Sequence, residues 1–192
     1  IDEEAVYITN NLFVFAPVGG GPAYGRLWIV NKGVAGGFYA GGAAAVTVND
    51  PYTCVGCFTF SSQPALVFGA GGVPGAGSGT FLVGYNGLTD GTNEYIQVIR
   101  VTNPLGAVSF TGEFVAVGNI DNTAAGMPDA PQAGTGTLVA TNDRRTYDAV
   151  WRSNQLWLTT IVNPPAGADS GQATAHWFRF NAAPPAATTL AD

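Results

Sequence analysis

The densest group of chemically capable side chains lies between residues 143 and 148, where Asp143 and Asp148 flank the pair Arg144–Arg145. Two carboxyl groups held roughly 5 to 9.5 Å apart across a sugar ring can carry out glycoside hydrolysis. The same residues also suit an ordinary turn closed by a salt bridge. Trp151 follows in the next strand-like run, and its ring can either pack in a core or offer a plane for a sugar to stack on. Asp143, Arg144, Arg145, Asp148 and Trp151 are therefore the candidate residues of a binding rim.

Three further groups carry possible chemistry. Asp90, Asn93 and Glu94 in "DGTNE" place oxygen ligands close together, as Ca²⁺ requires, although the spacing is not that of an EF-hand and a simple turn competes. A structural Ca²⁺ is the one cofactor the residues suggest. His176 is the single histidine, so any Ser-His-Asp arrangement must use it, yet it sits in an alternating strand pattern that also suits a packed or surface imidazole. Cys54 and Cys57 stand in "TCVGCF". A redox pair needs a helix N-terminus to lower a thiol pKa, and zinc needs about four ligands; neither context is present around them. A local disulfide pinning a loop remains, and it implies an oxidising compartment and a secreted or cell-surface protein. The glycine-rich run "GAGGVPGAGSG" is not followed by a helical pattern, so it reads as a loop and not as a phosphate cradle.

The elements that must position these residues read as strands. Of 192 residues, 27 are Gly and 12 are Pro, only 10% are charged, and 46% are hydrophobic. Val, Thr, Ile and aromatic residues recur in short runs, and no window sustains a 3.6-residue period. An all-β chain with long loops and almost no helix is expected. The net charge of −6, with Lys32 the single lysine, provides no basic stripe for nucleic acid. No segment approaches the roughly 20 consecutive apolar residues of a membrane helix. The chain opens at Ile1, not Met, in the middle of a strand-like pattern, as a processed product or a piece of a longer polypeptide would.

The sequence also repeats. At an offset of 150 residues "AVYITNNL" (Ala5 to Leu12) falls on "QLWLTTIV" (Gln155 to Val162), and "RLWIVN" (Arg26 to Asn31) falls on "HWFRFN" (His176 to Asn181). An offset of 144 aligns the first pair and fails on the second. A third copy, "TFLVGYN" with "YIQVIRVTN", lies about halfway between them. Each strand pair is followed by a Gly/Ala/Pro-rich stretch that re-enters strand pattern at "AAVTV", "PALVF" or "EFVAV". Approximate units are residues 1–75, 76–145 and 146–192 of a single β domain or fragment.

Repeated antiparallel sheets that are apolar on both faces must stack, and radial stacking makes a β-propeller. Three copies fall short of the usual four to eight blades, so a β-propeller, or part of one, implies further blades from a longer or cleaved polypeptide or from an oligomer mate. A β-sandwich is the alternative. In "YDAVWRSNQLWLTTIV" the break at Ser153-Asn154 then reads as a hairpin turn, with Trp151 and Trp157 as packing between sheets.

The patches "IDEEAVYITNNLF", "GRLWIVNK" and "TNDRRTYDAVWRSNQLWLTTIVN…ATAHWFRFN" together resemble the large secreted bacterial β-propeller proteins of sialidase-like architecture. The resemblance covers most of the chain in spaced patches. It implies the fold and secretion and leaves activity open, because such propellers host hydrolases, lyases and binding modules alike. Sialidases carry Asp-boxes (Ser-x-Asp-x-Gly-x-Thr-Trp), whereas "SNQLW" lacks both the Asp and the Gly. Arg26, Arg100, Arg144, Arg145, Arg152 and Arg179 supply enough arginines for a carboxylate-binding triad, but their spacing identifies none. No catalytic residue is carried over. Two function classes follow: an extracellular binding or structural scaffold for a glycan, a polymer or a protein, and a polysaccharide-active hydrolase or lyase.

Overall fold

The computed structural model describes residues 1–14, 21–33, 37–52, 61–68, 78–184 and 186–192. Alternating apolar and polar side chains, rich in Val, Ile, Thr and aromatics, form strands wherever Gly, Pro or Asn does not interrupt them. In chain order these are β1 (Ala5–Val14), β2 (Gly21–Asn31), β3 (Ala45–Asn49), β4 (Gln63–Pro64), β5 (Leu66–Val67), β6 (Ser78–Gly84) and β7 (Glu94–Thr102). They continue as β8 (Ser109–Gly118), β9 (Ala130–Pro131), β10 (Leu138–Val139), β11 (Thr146–Arg152), β12 (Gln155–Val162), β13 (Thr174–Asn181) and β14 (Thr189–Leu190). A 3₁₀ turn at Phe38–Ala40 is the one helical element among the described residues. The all-β expectation holds. "AAVTV" and "EFVAV" fall in β3 and β8, and "PALVF" supplies the short β4 and β5.

The strands make three main sheets and a small ribbon, β9–β10, and none closes into a barrel. Sheet I has the order β1-β2-β3, sheet II β4-β6-β7-β8, and sheet III β5-β11-β12-β13-β14. All pairings are antiparallel except β5 with β11.

Sheet II is the middle layer. Its period-2 alternation sends Phe81, Val83, Ile96, Val98, Val115 and Val117 into one core, shared with Trp151, Leu156, Leu158, Phe178 and Phe180 of sheet III. The alternate residues Leu82, Ile99 and Val101 enter a second core with Ala5, Tyr7, Leu27 and Ile29 of sheet I. A sheet apolar on both faces leaves water only when covered on both, which is why this layer is sandwiched.

The repeat seen in the sequence is a repeat of register. Tyr7 pairs with Ile29 and Trp157 with Arg179; Leu12 pairs with Tyr24 and Val162 with Thr174. Every Cα pair of β12–β13 is a β1–β2 pair shifted by 150 residues. Equivalent residues therefore point to the same side of their sheets, with one consequence for burial. Tyr7 and Leu27 face sheet II and are buried, while their counterparts Trp157 and Trp177 face away from the stack and are exposed.

Residues 61–68 stitch the three sheets together. β4 adds to β6 of sheet II, and β5 adds to β11 of sheet III. The Val67 amide donates to the Ile1 carbonyl (2.9 Å), and the Thr9 hydroxyl donates to the Ser62 carbonyl (2.6 Å) on the sheet I side. A segment of the first repeat unit thus covers edge groups in the other two, which would otherwise present unpaired backbone.

Candidate functional site

The rim candidates separate once folded. Arg144 turns inward. Its Nε donates to Asp121 Oδ2 at 2.5 Å, and its Nη2 donates to the carbonyls of Asn122 and Ala125 at 2.7 and 2.6 Å. Asp121, fully buried at its side chain, also accepts from the Tyr85 hydroxyl (2.8 Å) and the Asn163 amide (2.9 Å). Through these bonds Arg144 and Asp121 tie the loop after β8 to the ends of β6 and β12. Arg145 forms a bidentate pair with its neighbour Asp143 at the surface. Asp148 accepts from the Ala149 amide at 2.8 Å. Trp151 is a core residue, its Nε1 donating to the Ala182 carbonyl at 3.1 Å. The structure therefore does not gather these five side chains around one cleft.

The "DGTNE" residues likewise diverge. Asp90 Oδ1 accepts from the amides of Thr92 and Asn93, both at 2.8 Å, and Oδ2 from the Tyr95 hydroxyl at 2.6 Å. The Tyr95 hydroxyl above all, with those amides, holds the Asp90 carboxyl down at about 2. Glu94 is buried and accepts from the Ile120 amide at 2.7 Å. The two carboxylates serve different turns. His176 lies beside Phe178, ring centroids 4.6 Å apart, and burial lowers its pKa, so the imidazole packs as a neutral ring near pH 7. Cys54 and Cys57 lie outside the described residues.

Two concavities stand out among the described residues. The first, of about 120 Å³, lies where β1 and β2 meet residues 61–63 and is lined by Thr9, Asn10, Asn11, Gly25, Tyr52, Ser61, Ser62 and Gln63. Its walls are amides and hydroxyls without a charge. Asn11 and Ser61 grip each other twice: Asn11 Nδ2 donates to Ser61 Oγ (3.0 Å), and the Ser61 amide donates to Asn11 Oδ1 (2.9 Å). Burial pushes the Tyr52 hydroxyl up to about 12, so it stays protonated at physiological pH. These residues escaped sequence reasoning because β1 is joined to residues 61–63 only in the fold. The available signal was the polar run Thr9-Asn10-Asn11 inside an otherwise apolar strand.

The second concavity, about 170 Å³ and apolar, lies on the outer face of sheet III, lined by Asp148, Ala149, Val150, Trp157, Leu158, Thr159 and Trp177. Trp157 and Trp177 stack there at 5.6 Å between centroids and 28° between planes, with the Arg179 guanidinium over Trp157 at 5.5 Å. Cross-strand rows Val150–Trp157–Arg179 and Asp148–Thr159–Trp177 set this arrangement. The repeat places this surface in register with the sheet I face that packs on sheet II. Compared with known proteins, the chain matches no family model, no curated protein and no solved structure.

Proposed function

We propose that the protein is an extracellular, propeller-type scaffold of stacked sheets that binds a neutral glycan in the uncharged cleft between β1, β2 and residues 61–63. The observation that carries the reading is the composition of that cleft: Thr9, Asn10, Asn11, Ser61, Ser62 and Gln63 offer donors and acceptors together, with the Tyr52 ring at the wall. Sugar hydroxyls both donate and accept, and side-chain amides and hydroxyls match them without the desolvation cost of a buried charge. The packed three-layer stack supports the scaffold role, since it holds loop and edge residues on rigid strands. A binding role is favoured over catalysis because Asp121 and Glu94 are committed to buried structural bonds, and Asp143 to Arg145.

The test is a glycan-array screen followed by titration calorimetry against the best neutral oligosaccharide. Asn10→Ala and Gln63→Ala are each expected to weaken binding about 5- to 10-fold, the loss of roughly one hydrogen bond. Unchanged affinity in both variants would remove the cleft from consideration. Cleavage of the bound polysaccharide would overturn the scaffold reading in favour of a hydrolase or lyase.

A further inference from the structure

The two outer faces of the stack are repeat equivalents of faces that are buried within it. On sheet I, cross-strand rows Val6–Val30–Val46 and Ile8–Trp28–Val48 form an apolar surface bordered by the Asn10–Arg26 row, with Ile8, Val46 and Val48 about half exposed. At the 150-residue offset, Val6, Ile8, Trp28 and Val30 correspond to Leu156, Leu158, Phe178 and Phe180, all buried against sheet II. On sheet III, the exposed Trp157 and Trp177 correspond to Tyr7 and Leu27, which are buried against the other side of sheet II. The molecule thus ends in one face of each kind that its own internal interfaces use.

We propose that a second copy of this chain covers both faces at once, head to tail, so that the Trp157–Trp177 face of each copy packs on the Ile8–Trp28 face of the other. Two such contacts close a two-fold ring of six stacked sheets, inside the four to eight of propellers. A heterologous contact that closes gives a ring, and one that fails to close gives a fibre. Pairing unlike faces is favoured over pairing like ones because each internal interface already joins the two unlike sides of successive sheets. The apolar rows of sheet I also suit the broad indole stack of sheet III, where Arg179 lies over Trp157 with Asp192 as its ion-pair partner. The ring rests on the propeller-type reading of the stack and not on its glycan ligand.

Analytical ultracentrifugation of the 192-residue chain at about 100 µM, far above the dissociation constants of standard-size interfaces, is expected to show a dimer. Ile8→Glu and Trp177→Glu, one on each face, should each raise the dimer dissociation constant about 100-fold or more, as losses at buried anchors do. Both residues are exposed within the chain, so far-UV spectra of the variants should match that of the parent, and their melting temperatures should fall only by the concentration-dependent share that dimerisation contributes. An equimolar mixture of the two variants should recover dimer in part, since one of the two contacts is then free of substitution. A monomeric parent, an open-ended polymer, or a dimer indifferent to either substitution would overturn the proposal. A monomer that still bound the oligosaccharide would refute the ring and leave the glycan reading standing.

Discussion

Two buried tyrosine–aspartate pairs anchor the cores. The Tyr7 hydroxyl donates to Asp2 Oδ2 at 2.5 Å, and Asp2 also accepts from the amides of Glu4 and Ala5 at 2.8 and 2.7 Å. Lys32 Nζ donates to the Asp2 carbonyl, a cation beside the pair that parallels Arg144 beside Asp121 and Tyr85. Burial first, and then the carboxylate partner, raises both phenol pKa values above their ordinary 10. A group whose folded pKa is raised contributes its full stabilisation below the unfolded value and loses it as pH climbs toward the folded one. Thermal midpoints are therefore expected to hold below pH 10 and to fall above it. Phenylalanine at both Tyr7 and Tyr85 should flatten that fall in melts recorded from pH 8 to 11, and an unchanged slope would assign the alkaline loss elsewhere. Asp121→Ala should cost about 3 to 5 kcal/mol, because it leaves the Arg144 charge without its counter-ion and its Nε and two further buried donors without an acceptor. Urea unfolding measures this, and a loss below about 1 kcal/mol would mean that water replaces the carboxylate.

The hairpins set the sheets, and their turns are not ideal. β11 and β12 are joined by Ser153-Asn154, with Arg152 opposite Gln155 and φ of 51° and 63° at the two turn residues. A two-residue turn with both φ positive matches strand twist, and it favours Asn-Gly. Asn tolerates the left-handed region; Ser carries the Cβ penalty without compensation. Replacement of Ser153-Asn154 by Asn-Gly should stabilise the protein by about 1 kcal/mol, read from the shift in urea midpoint at constant m-value. A loss of stability would mean that the native side chains make turn contacts worth more than the relief of strain. Close approach between layers also depends on glycine. A Cβ at Gly79 of β6 would collide with the Tyr7 hydroxyl and the Pro104 ring, so sheets I and II meet there backbone to ring.

At the scale of the whole molecule, three layers hold one another. Sheet II buries apolar side chains on both faces, residues 61–68 cross from sheet to sheet, and the Thr188 amide donates to Glu113 of β8 at 3.0 and 3.1 Å. Removing one layer would expose the apolar face of the next, so the described parts are expected to unfold together. Such a stack ends in two apolar faces, and exposed patches of that kind mark association surfaces. The six-sheet ring would satisfy both ends with one kind of contact.

Residue types alone determined the strands, because Val, Ile, Thr and aromatic alternation interrupted by Gly and Pro permits little else. They also showed that two hairpins are equivalent: the offset of 150 legible in the residues is the offset that relates the pairing of β1–β2 to that of β12–β13. The hairpin at Ser153-Asn154 and the packing of Trp151 were legible for the same local reasons. Tertiary structure alone decided where the charges went. Arg144 reaches an aspartate 23 residues away, which no local pattern announces, and so leaves the cluster that its neighbours Asp143 and Asp148 suggested. The uncharged cleft arises because residues 61–63 fold onto β1 some 50 residues earlier in the chain. Local alternation is written in neighbouring residues, whereas a site assembled from distant segments depends on which faces the stacked sheets bury. That choice turns on the summed apolar area of all three layers.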